Sequence, residues 1–171
     1  MKDNIVLIGF MGSGKTTIGE KLALSMEYDF IDTDQYIEVL TGKSINDIFS
    51  SEGEVAFRRL ETKCLTEFKQ SLHHCVLATG GGMPLKEENA ALLREIGMVI
   101  FLKTSKEVTY ARLKQDTTRP LLQGENPKKK IEDLLTKRMP FYEKVADVVV
   151  STDDCSFDSI IKEIQNYYKV R

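Results

Sequence analysis

The sequence predicts a three-layer α/β fold with a five-stranded parallel sheet and helices on both of its faces. Two observations support this prediction. Five short apolar runs recur along the chain, and they are continuous rather than alternating, which is typical of strands buried on both faces of a parallel sheet. Helical periods separate these runs, and such alternation predicts right-handed crossovers. In sheets of this kind, ligands bind at the carboxyl ends of the strands.

The individual elements follow in chain order. Strands are expected at residues 5–8, 30–31, 75–78, 98–102 and 148–150. Helical spacing is clearest in three sets: Ile18, Leu22 and Met26; Phe57, Leu60, Cys64 and Phe68; and Ile160, Ile161, Ile164 and Tyr168. Residues 115–130 differ from their surroundings, because they are polar and interrupted by proline and glycine. We therefore expect a mobile loop there.

Composition and charge limit the class of protein. A chain of 171 residues suits one domain, because it can bury roughly two-thirds of its unfolded surface in a single core. Hydrophobic residues make up 42% and charged residues 29%, as in ordinary globular proteins. The formal net charge of -2 argues against a protein that holds nucleic acid by bulk positive charge. A small anionic ligand remains compatible with this charge.

The cysteines and the amino terminus indicate a cellular compartment. Cys64, Cys75 and Cys155 are widely spaced and form no C-x-x-C pair, so we interpret them as reduced and structural. The first apolar run stops at a glycine and is too short for a signal peptide or a membrane span. We therefore expect a cytoplasmic protein that does not contact a membrane.

Residues 9–16 match the phosphate-binding pattern G-x-x-x-x-G-K-[ST] between a predicted strand and a predicted helix. The glycines allow backbone N–H groups to surround phosphate oxygens at the positive end of the helix. Lys15 is expected to reach the β- and γ-phosphates, and the Thr16 hydroxyl group to ligate Mg²⁺. The motif does not identify the acceptor. A GTP switch is strongly disfavoured, because the second half of the chain lacks a guanine-reading Asn/Thr-Lys-x-Asp sequence.

Two carboxylates, Asp32 and Asp34, lie at the carboxyl end of the second predicted strand. One can steady the water around Mg²⁺, and the other can accept the proton of an acceptor hydroxyl group. Because the two side chains diverge where the chain enters a helix, we assign Asp32 to the metal and Asp34 to the acceptor. The alternative is that Thr33 or Asp34 only caps the helix that begins near Gln35.

Three consecutive glycines, residues 80–82, follow the third predicted strand. They either allow backbone amides to approach a ligand closely or only form a tight exit from the strand. Thr79 stands where a Walker B sequence would carry an aspartate, and this favours Asp32 as the metal carboxylate.

The arginines are few, and their planar guanidinium groups suit the recognition of carboxylates and phosphates. On a helix from Glu54, Arg58 lies within reach of Glu54 and Glu61, which could hold its side chain in place. A plain surface ion-pair network would give the same spacing. Five of the seven arginines are Arg58, Arg59, Arg112, Arg119 and Arg138.

These motifs in this order resemble the shikimate kinase family, within the P-loop nucleoside-monophosphate-kinase-like group. The match spans about residues 5–150. It consists of the phosphate motif, Asp32-Thr33-Asp34, Gly53-Glu54 with Phe57-Arg58 and Glu61, the three glycines, Arg119-Pro120-Leu121-Leu122, and Arg138 with Tyr142. The resemblance implies a P-loop fold and transfer of the ATP γ-phosphate to the 3-hydroxyl group of shikimate, in aromatic amino-acid biosynthesis.

The resemblance also implies roles for individual residues. The ATP-binding residues would be Gly12, Ser13, Gly14, Lys15, Thr16, Thr17, Arg112 and Arg119. The shikimate-binding residues would be Asp34, Phe57, Arg58, Gly80, Gly81, Gly82 and Arg138. Lys15, Asp34 and Arg119 would be catalytic, with Asp34 as the base, and Thr16 and Asp32 would hold Mg²⁺.

Further expectations follow for the placement of these groups. Arg58 and Arg138 would clamp the shikimate carboxylate, and Phe57 would pack against its ring. Arg119 would close over the γ-phosphate, and Arg112 would flank adenine.

We expect one domain over residues 1–171 that acts as a monomer, with a lid at about 115–130 and an acceptor-binding region at about 33–61. Two features depart from the family pattern. Residues 151–154, where adenine contacts are expected, carry no strong signature, and Pro140 should kink or end a helix near Arg138. Another small-molecule kinase, such as a gluconate or nucleotide kinase, and a non-catalytic nucleotide-binding protein remain as alternatives.

Overall fold

The computed structural model describes residues 3–114 and 126–170 and is a three-layer α/β structure. Its sheet consists of β1 Asn4–Ile8, β2 Asp29–Asp32, β3 Cys75–Ala78, β4 Gly97–Lys103 and β5 Val148–Ser151. The helices in the described ranges are α1 Lys15–Met26, α2 Thr33–Thr41, α3 Ile45–Ser71, α4 Glu87–Ile96, α5 Lys106–Leu113, α6 Pro127–Val145 and α7 Phe157–Lys169, with a 3₁₀ turn at Met83–Leu85. The five predicted strands and the three predicted helical patterns are confirmed.

All five strands are parallel, and their order in the sheet is β2-β3-β1-β4-β5. The central strand is β1, in which Val6 lies in register with Leu77 on one side and Val99 on the other. The chain therefore leaves β1 towards one edge of the sheet and later crosses to the other edge. Ligands of open α/β sheets bind at such a switch point, beyond the carboxyl ends of the strands.

The core lies on both faces of this sheet. Val6 and Ile8 pack into a cluster with side chains of α3, α4 and α6. The alternate residues Ile5 and Leu7 pack into a second cluster with α1 and α7. Because both faces of β1 are buried, its sequence is a continuous apolar run and does not alternate.

Helix α2 begins two residues earlier than the sequence predicted, at Thr33. Its capping residue is Asp32, whose side-chain oxygen Oδ1 accepts hydrogen bonds from the backbone N–H groups of Asp34 (3.0 Å) and Gln35 (3.4 Å). A cap is therefore present, but the capping residue is Asp32, so the prediction of Thr33 or Asp34 is wrong. The reason is that Asp32 keeps extended backbone angles while its carboxylate reaches the first turn.

Helix α6 begins at Pro127, inside the segment predicted as a loop. The Asn126 side chain accepts a hydrogen bond from the Lys129 backbone N–H group at 3.2 Å, and proline is well suited to the first helical position. The lysines of residues 128–130 are therefore helical. Pro140 lies within α6 and does not end it. The remainder of the predicted lid, residues 115–125, lies outside the described residues.

The cysteine and membrane expectations can be compared with the described ranges. All three cysteines are free; Cys64 and Cys75 are buried, which fits a structural role. Cys155 is exposed and contributes to no core, so its predicted structural role is wrong. Among the residues described, no helix has both the length and the apolar character that a membrane crossing needs.

Candidate active site

The phosphate loop joins β1 to α1 at the switch point of the sheet. Gly12 (φ 77°) and Gly14 (φ 89°) adopt left-handed backbone angles that glycine reaches without steric cost. Gly14 directly precedes α1, so the positive end of that helix lies next to the loop. The Lys15 ammonium group donates hydrogen bonds to the carbonyl oxygens of Gly9 (3.0 Å) and Phe10 (2.9 Å). Its charge therefore lies against the loop that the motif assigns to phosphate.

Thr16 and Asp32, the two predicted metal ligands, are in direct contact. The Thr16 hydroxyl group donates a hydrogen bond to Asp32 Oδ2 at 2.8 Å, while Oδ1 of the same carboxylate caps α2. One carboxylate therefore both contacts Thr16 and caps α2, and its role at a metal stays a prediction. Mg²⁺ prefers oxygen ligands and takes only one or two from the protein when nucleotide phosphates supply others. This pair of oxygen donors at the phosphate loop fits that requirement.

A cleft of about 220 Å³ lies at the carboxyl ends of β1, β2 and β3. The phosphate loop and the start of α1 form one of its walls. The acidic end of β2 and the segment after β3 form another. Its lining residues are Met11, Gly12, Gly14, Lys15, Thr16, Thr17, Asp32, Asp34, Thr79, Gly80 and Gly81. The predicted catalytic lysine and the predicted base therefore line the same cleft.

The glycine loop, residues 80–82, lies where two functional side chains approach the backbone. A Cβ atom at Gly80 would stand 2.7 Å from Asp34 Oδ1, and one at Gly82 would overlap the guanidinium group of Arg58. The backbone N–H group of Gly80 donates a hydrogen bond to the Thr33 hydroxyl oxygen at 2.9 Å. A side chain at Gly80 or Gly82 would therefore displace the end of Asp34 or of Arg58 from its present position.

Arg58 is held by a buried carboxylate. Glu61 is fully buried, and its two carboxylate oxygens accept hydrogen bonds from Arg58 Nη1 at 2.8 and 2.9 Å. The second partner, Glu54, is exposed and accepts from Arg58 Nη2 at 3.1 Å. The pKa of Glu61 is raised to about 7 by burial, against the opposing effect of Arg58. The alternative of a plain surface network is therefore wrong for the Glu61 partner.

Arg138 lies near Tyr142, which contacts the glycine loop. Its guanidinium carbon lies 5.6 Å from the centre of the Phe10 ring. Burial raises the pKa of Tyr142 to about 12, and the nearby charge of Arg138 opposes this rise. The Tyr142 hydroxyl group donates to the carbonyl oxygen of Gly81 at 2.6 Å. Neither the Phe10 contact nor the bond between Tyr142 and Gly81 was predicted, because the residues involved are remote in sequence.

The remaining predicted residues have varied positions. Phe57 is 4% exposed, with its ring centre 5.4 Å from the Arg58 guanidinium carbon, so its contact with a substrate ring stays a prediction. Arg112 donates hydrogen bonds to the carbonyl oxygens of Gly12 (3.0 Å) and Thr152 (3.3 Å) and so connects the phosphate loop to the segment expected near adenine. Arg119 lies outside the described residues.

A phosphate loop that shares its cleft with carboxylates at the end of β2, two strands away in the parallel sheet, is the arrangement of a P-loop kinase. This is the class of protein that the fold and the site define. A family model described as shikimate kinase matches residues 11–169. The chain belongs to the shikimate kinase family.

Individual relatives agree with this assignment. A shikimate kinase of Thermodesulfovibrio yellowstonii is 45% identical over 97% of this chain and 95% of its own length. One from Thioalkalivibrio sulfidiphilus is 44% identical, over 98% and 87%. Among solved structures, the shikimate kinase from Acinetobacter baumannii in complex with shikimate has a TM-score of 0.92 and 41% identity, over 98% of this chain and 93% of that chain. The predicted family and enzyme class are confirmed, and the gluconate kinase alternative is not favoured.

Proposed function

We propose that the protein transfers the γ-phosphate group of ATP to the 3-hydroxyl group of shikimate, giving shikimate 3-phosphate in the pathway to aromatic amino acids. The observation that carries the proposal is the shared cleft, which Lys15 and Asp34 line together. Family membership supports the choice of acceptor, and the relative from Acinetobacter baumannii is a complex with shikimate.

On the donor side, backbone N–H groups of residues 12–17 surround the phosphates, and Lys15 neutralises the charge on the β- and γ-phosphate oxygens. Thr16 and Asp32 hold the Mg²⁺ that accompanies ATP; their contact of 2.8 Å supports this role. When bound there, Mg²⁺ offsets negative charge on the phosphate oxygens. Arg112, bonded to Gly12, flanks adenine.

On the acceptor side, the Asp34 carboxylate accepts the proton of the 3-hydroxyl group as the phosphate is transferred. Arg58 and Arg138 bind the shikimate carboxylate, since the guanidinium fork matches carboxylate geometry. Two features support this arrangement: Glu61 orients Arg58, and the side chains of Arg58 and Asp34 converge on the glycine loop.

Several wider expectations belong to the same proposal. One domain over residues 1–171 acts as a monomer in the cytoplasm, and residues 33–61 form its acceptor-binding region. Arg119, in the part of the predicted lid that precedes α6, contacts the γ-phosphate during transfer. We expect Arg119→Ala to lower kcat strongly while shikimate binding in calorimetry changes little, because this contact is made to the transferred group. Equal loss of shikimate binding would contradict the role of Arg119.

The proposed reaction is tested by a coupled assay of ADP release with shikimate, gluconate and nucleoside monophosphates as separate acceptors. We expect turnover with shikimate and none above background with the other acceptors. A reaction without protein is the control for non-enzymatic hydrolysis, and a Lys15→Met variant should release ADP about 10²- to 10³-fold more slowly than wild type. Absence of turnover with millimolar shikimate would remove the proposed function.

A further inference from the structure

The glycine loop of residues 80–82 carries no side chains that could hold its own shape. Glycine loses more conformational freedom on folding than any other residue, so a run of three needs external contacts to stay in one conformation. Two carbonyl oxygens of the loop accept hydrogen bonds from nearby residues. That of Gly80 accepts from the Met83 N–H group (3.1 Å), and that of Gly82 accepts from the Leu85 N–H group (3.2 Å). Two hydroxyl groups link the loop to more distant parts of the described chain by hydrogen bonds. The Thr33 hydroxyl oxygen accepts from the Gly80 N–H group, and the Tyr142 hydroxyl group donates to the Gly81 carbonyl oxygen.

We propose that Thr33 and Tyr142 are positioning residues for the acceptor: their hydroxyl groups hold the glycine loop at the Gly80 N–H group and the Gly81 carbonyl group, and thereby set the distance between Asp34 and Arg138. This inference rests on the proposed function, because it assigns those two residues to one substrate. Neither hydroxyl group needs to touch the substrate. Both act through the loop.

The contact of Thr33 couples the loop to the base. Thr33 is fully buried, and its hydroxyl oxygen accepts the hydrogen bond of Gly80 at 2.9 Å. The next residue in the chain is Asp34, whose Oδ1 lies so close to Gly80 that a Cβ atom would approach it to 2.7 Å. A displacement of Gly80 therefore changes the position available to the Asp34 carboxylate.

The contact of Tyr142 couples the loop to the carboxylate clamp. Tyr142 is fully buried against Phe101, with ring centres 5.1 Å apart, so its hydroxyl group has a fixed direction. That group donates to Gly81 at 2.6 Å, and Arg138 lies one helical turn earlier in α6, near enough for its charge to oppose the rise in the pKa of Tyr142 that burial causes. Burial raises the pKa of Tyr142 to about 12, so the hydroxyl group keeps its proton at neutral pH and remains a donor.

These contacts bridge three segments that are far apart in sequence: the start of α2, the loop after β3, and α6. Asp34 belongs to the first of these segments, and Arg138, one of the two arginines of the clamp, belongs to the third. Since a displacement of about 1 Å at a reacting group can cost about 10²-fold in rate, the register between them matters for catalysis. The glycine loop contacts both segments, and through it the two hydroxyl groups set the distance between Asp34 and Arg138.

The test uses the full-length protein and removes one hydroxyl group at a time, in Tyr142→Phe and Thr33→Val. Thr33→Ser keeps the acceptor oxygen and serves as the conservative variant. Tyr28→Phe is the matched control, because it removes a partly buried hydroxyl group that bonds to Tyr168 at 3.2 Å, away from the cleft. For each protein, kcat, the KM values for shikimate and ATP, the shikimate Kd from calorimetry and the Tm are measured.

We expect Tyr142→Phe and Thr33→Val each to raise the shikimate KM and Kd by about tenfold. An effect of this size corresponds to a displacement of the substrate-binding groups by less than about 1 Å. The ATP KM should stay within about twofold, since Lys15 and Thr16 keep their contacts. Thr33→Ser and Tyr28→Phe should resemble wild type in shikimate KM.

Two results would overturn the inference: an unchanged shikimate KM in both hydroxyl-deleted variants, or an equal rise in the KM values for shikimate and ATP. The second result would show that the hydroxyl groups only stabilise the fold. The same conclusion would follow if Thr33→Ser raised the shikimate KM as much as Thr33→Val does. If wild type turns over shikimate while the variants bind it normally, only the positioning role fails. A wild type that does not turn over shikimate removes the proposed function and this inference together.

Discussion

The phosphate loop uses eight consecutive residues and mainly backbone groups, whereas the acceptor side of the cleft uses side chains from α2, α3 and α6 and the backbone of the glycine loop. The loop is shaped by glycines at its own positions, such as Gly12 and Gly14. The acceptor side is shaped by contacts between segments, such as Arg58 with Glu61 and Tyr142 with Gly81. Local backbone chemistry therefore suffices for binding a phosphate, while choosing an acceptor requires the tertiary fold.

This difference has a consequence for substitutions. A change in the phosphate loop should affect the donor and leave the free acceptor site intact. The effect of a change on the acceptor side should also depend on the buried partners of the substituted residue, because those partners are left without a hydrogen bond or a counter-charge. Each substitution below separates the two sides or shows where they are joined.

The largest effect is expected for Asp34→Asn, which keeps the shape of the side chain but removes its ability to accept a proton. We expect kcat to fall by about 10²- to 10⁴-fold, the usual contribution of general base catalysis. The ATP KM should change little, because the phosphate loop is untouched. Steady-state kinetics with saturating shikimate measure both values, and a kcat within tenfold of wild type would contradict the role of Asp34 as base.

Lys15→Met is the matching change on the donor side. Its ammonium group is proposed to stabilise charge on the transferred phosphate, so we expect kcat to fall by about 10²- to 10³-fold, as for the loss of one electrostatic donor. Calorimetry with shikimate alone should give the wild-type Kd, since the contacts of Arg58 and Glu61 do not involve this residue. A large loss of shikimate binding would mean that the two sides of the cleft are not separable.

Arg58→Ala should act mainly on the acceptor. Removing one hydrogen-bonded charge typically costs about 1.5–3 kcal/mol, which corresponds to a shikimate Kd about 10- to 150-fold higher. The same change leaves Glu61 buried without its main counter-charge, so a lower Tm is also expected. Calorimetry below the Tm of the variant separates the two effects. Tight shikimate binding by folded Arg58→Ala would exclude Arg58 from the clamp.

The sequence predicted the parts of the structure that depend on neighbours along the chain. Continuous apolar runs indicated β1 and β3 because both faces of these strands are buried, and the glycine spacing indicated the phosphate loop. The first turn of α2 shows the limit of this reasoning. Asp32 was assigned to the metal and not to the cap, yet one carboxylate with two oxygens meets both Thr16 and the first turn of α2.

The acceptor side was predictable only in part, for a physical reason. Helical spacing brought Glu61 within reach of Arg58, but its burial depends on how α3 packs against the rest of the core, which spacing does not report. The bond from Tyr142 to Gly81 joins residues 61 positions apart, and no local pattern encodes it. The resemblance to a family supplied Arg138, while the structure supplies its proximity to Phe10 and Tyr142.

The smallest predicted effects distinguish the two partners of Arg58. Burial raises the pKa of Glu61 to about 7 from its usual 4.5, with Asp34 and Glu54 adding to the rise and Arg58 opposing it. Between pH 4.5 and about pH 7, Glu61 is mostly protonated in the folded protein and mostly ionised in the unfolded chain. The contribution of Glu61 to the free energy of unfolding therefore falls as pH rises through this window.

Shikimate binding should show the opposite dependence on pH. Above about pH 7, Glu61 is charged and holds Arg58 through an ion pair as well as hydrogen bonds, whereas the neutral carboxyl group below this pH loses the attraction between the two charges. We therefore expect the shikimate Kd of wild type to rise severalfold between pH 8 and pH 6, and that of Glu61→Gln to be nearly constant over this range. Calorimetry at several pH values measures this directly, and a Glu61→Gln variant with the wild-type pH dependence would contradict the assignment.

Glu54→Gln is the matched control, because Glu54 contacts the same guanidinium group at the surface, with 65% of its side chain exposed. Exposed ion pairs contribute only about 0–1 kcal/mol, so this change should leave the pH dependence of shikimate binding in place and shift Kd by less than about fivefold. If Glu54→Gln and Glu61→Gln behaved alike, burial would not be what orients Arg58. The contrast between a locally built phosphate loop and an acceptor side that depends on buried partners would then need another cause.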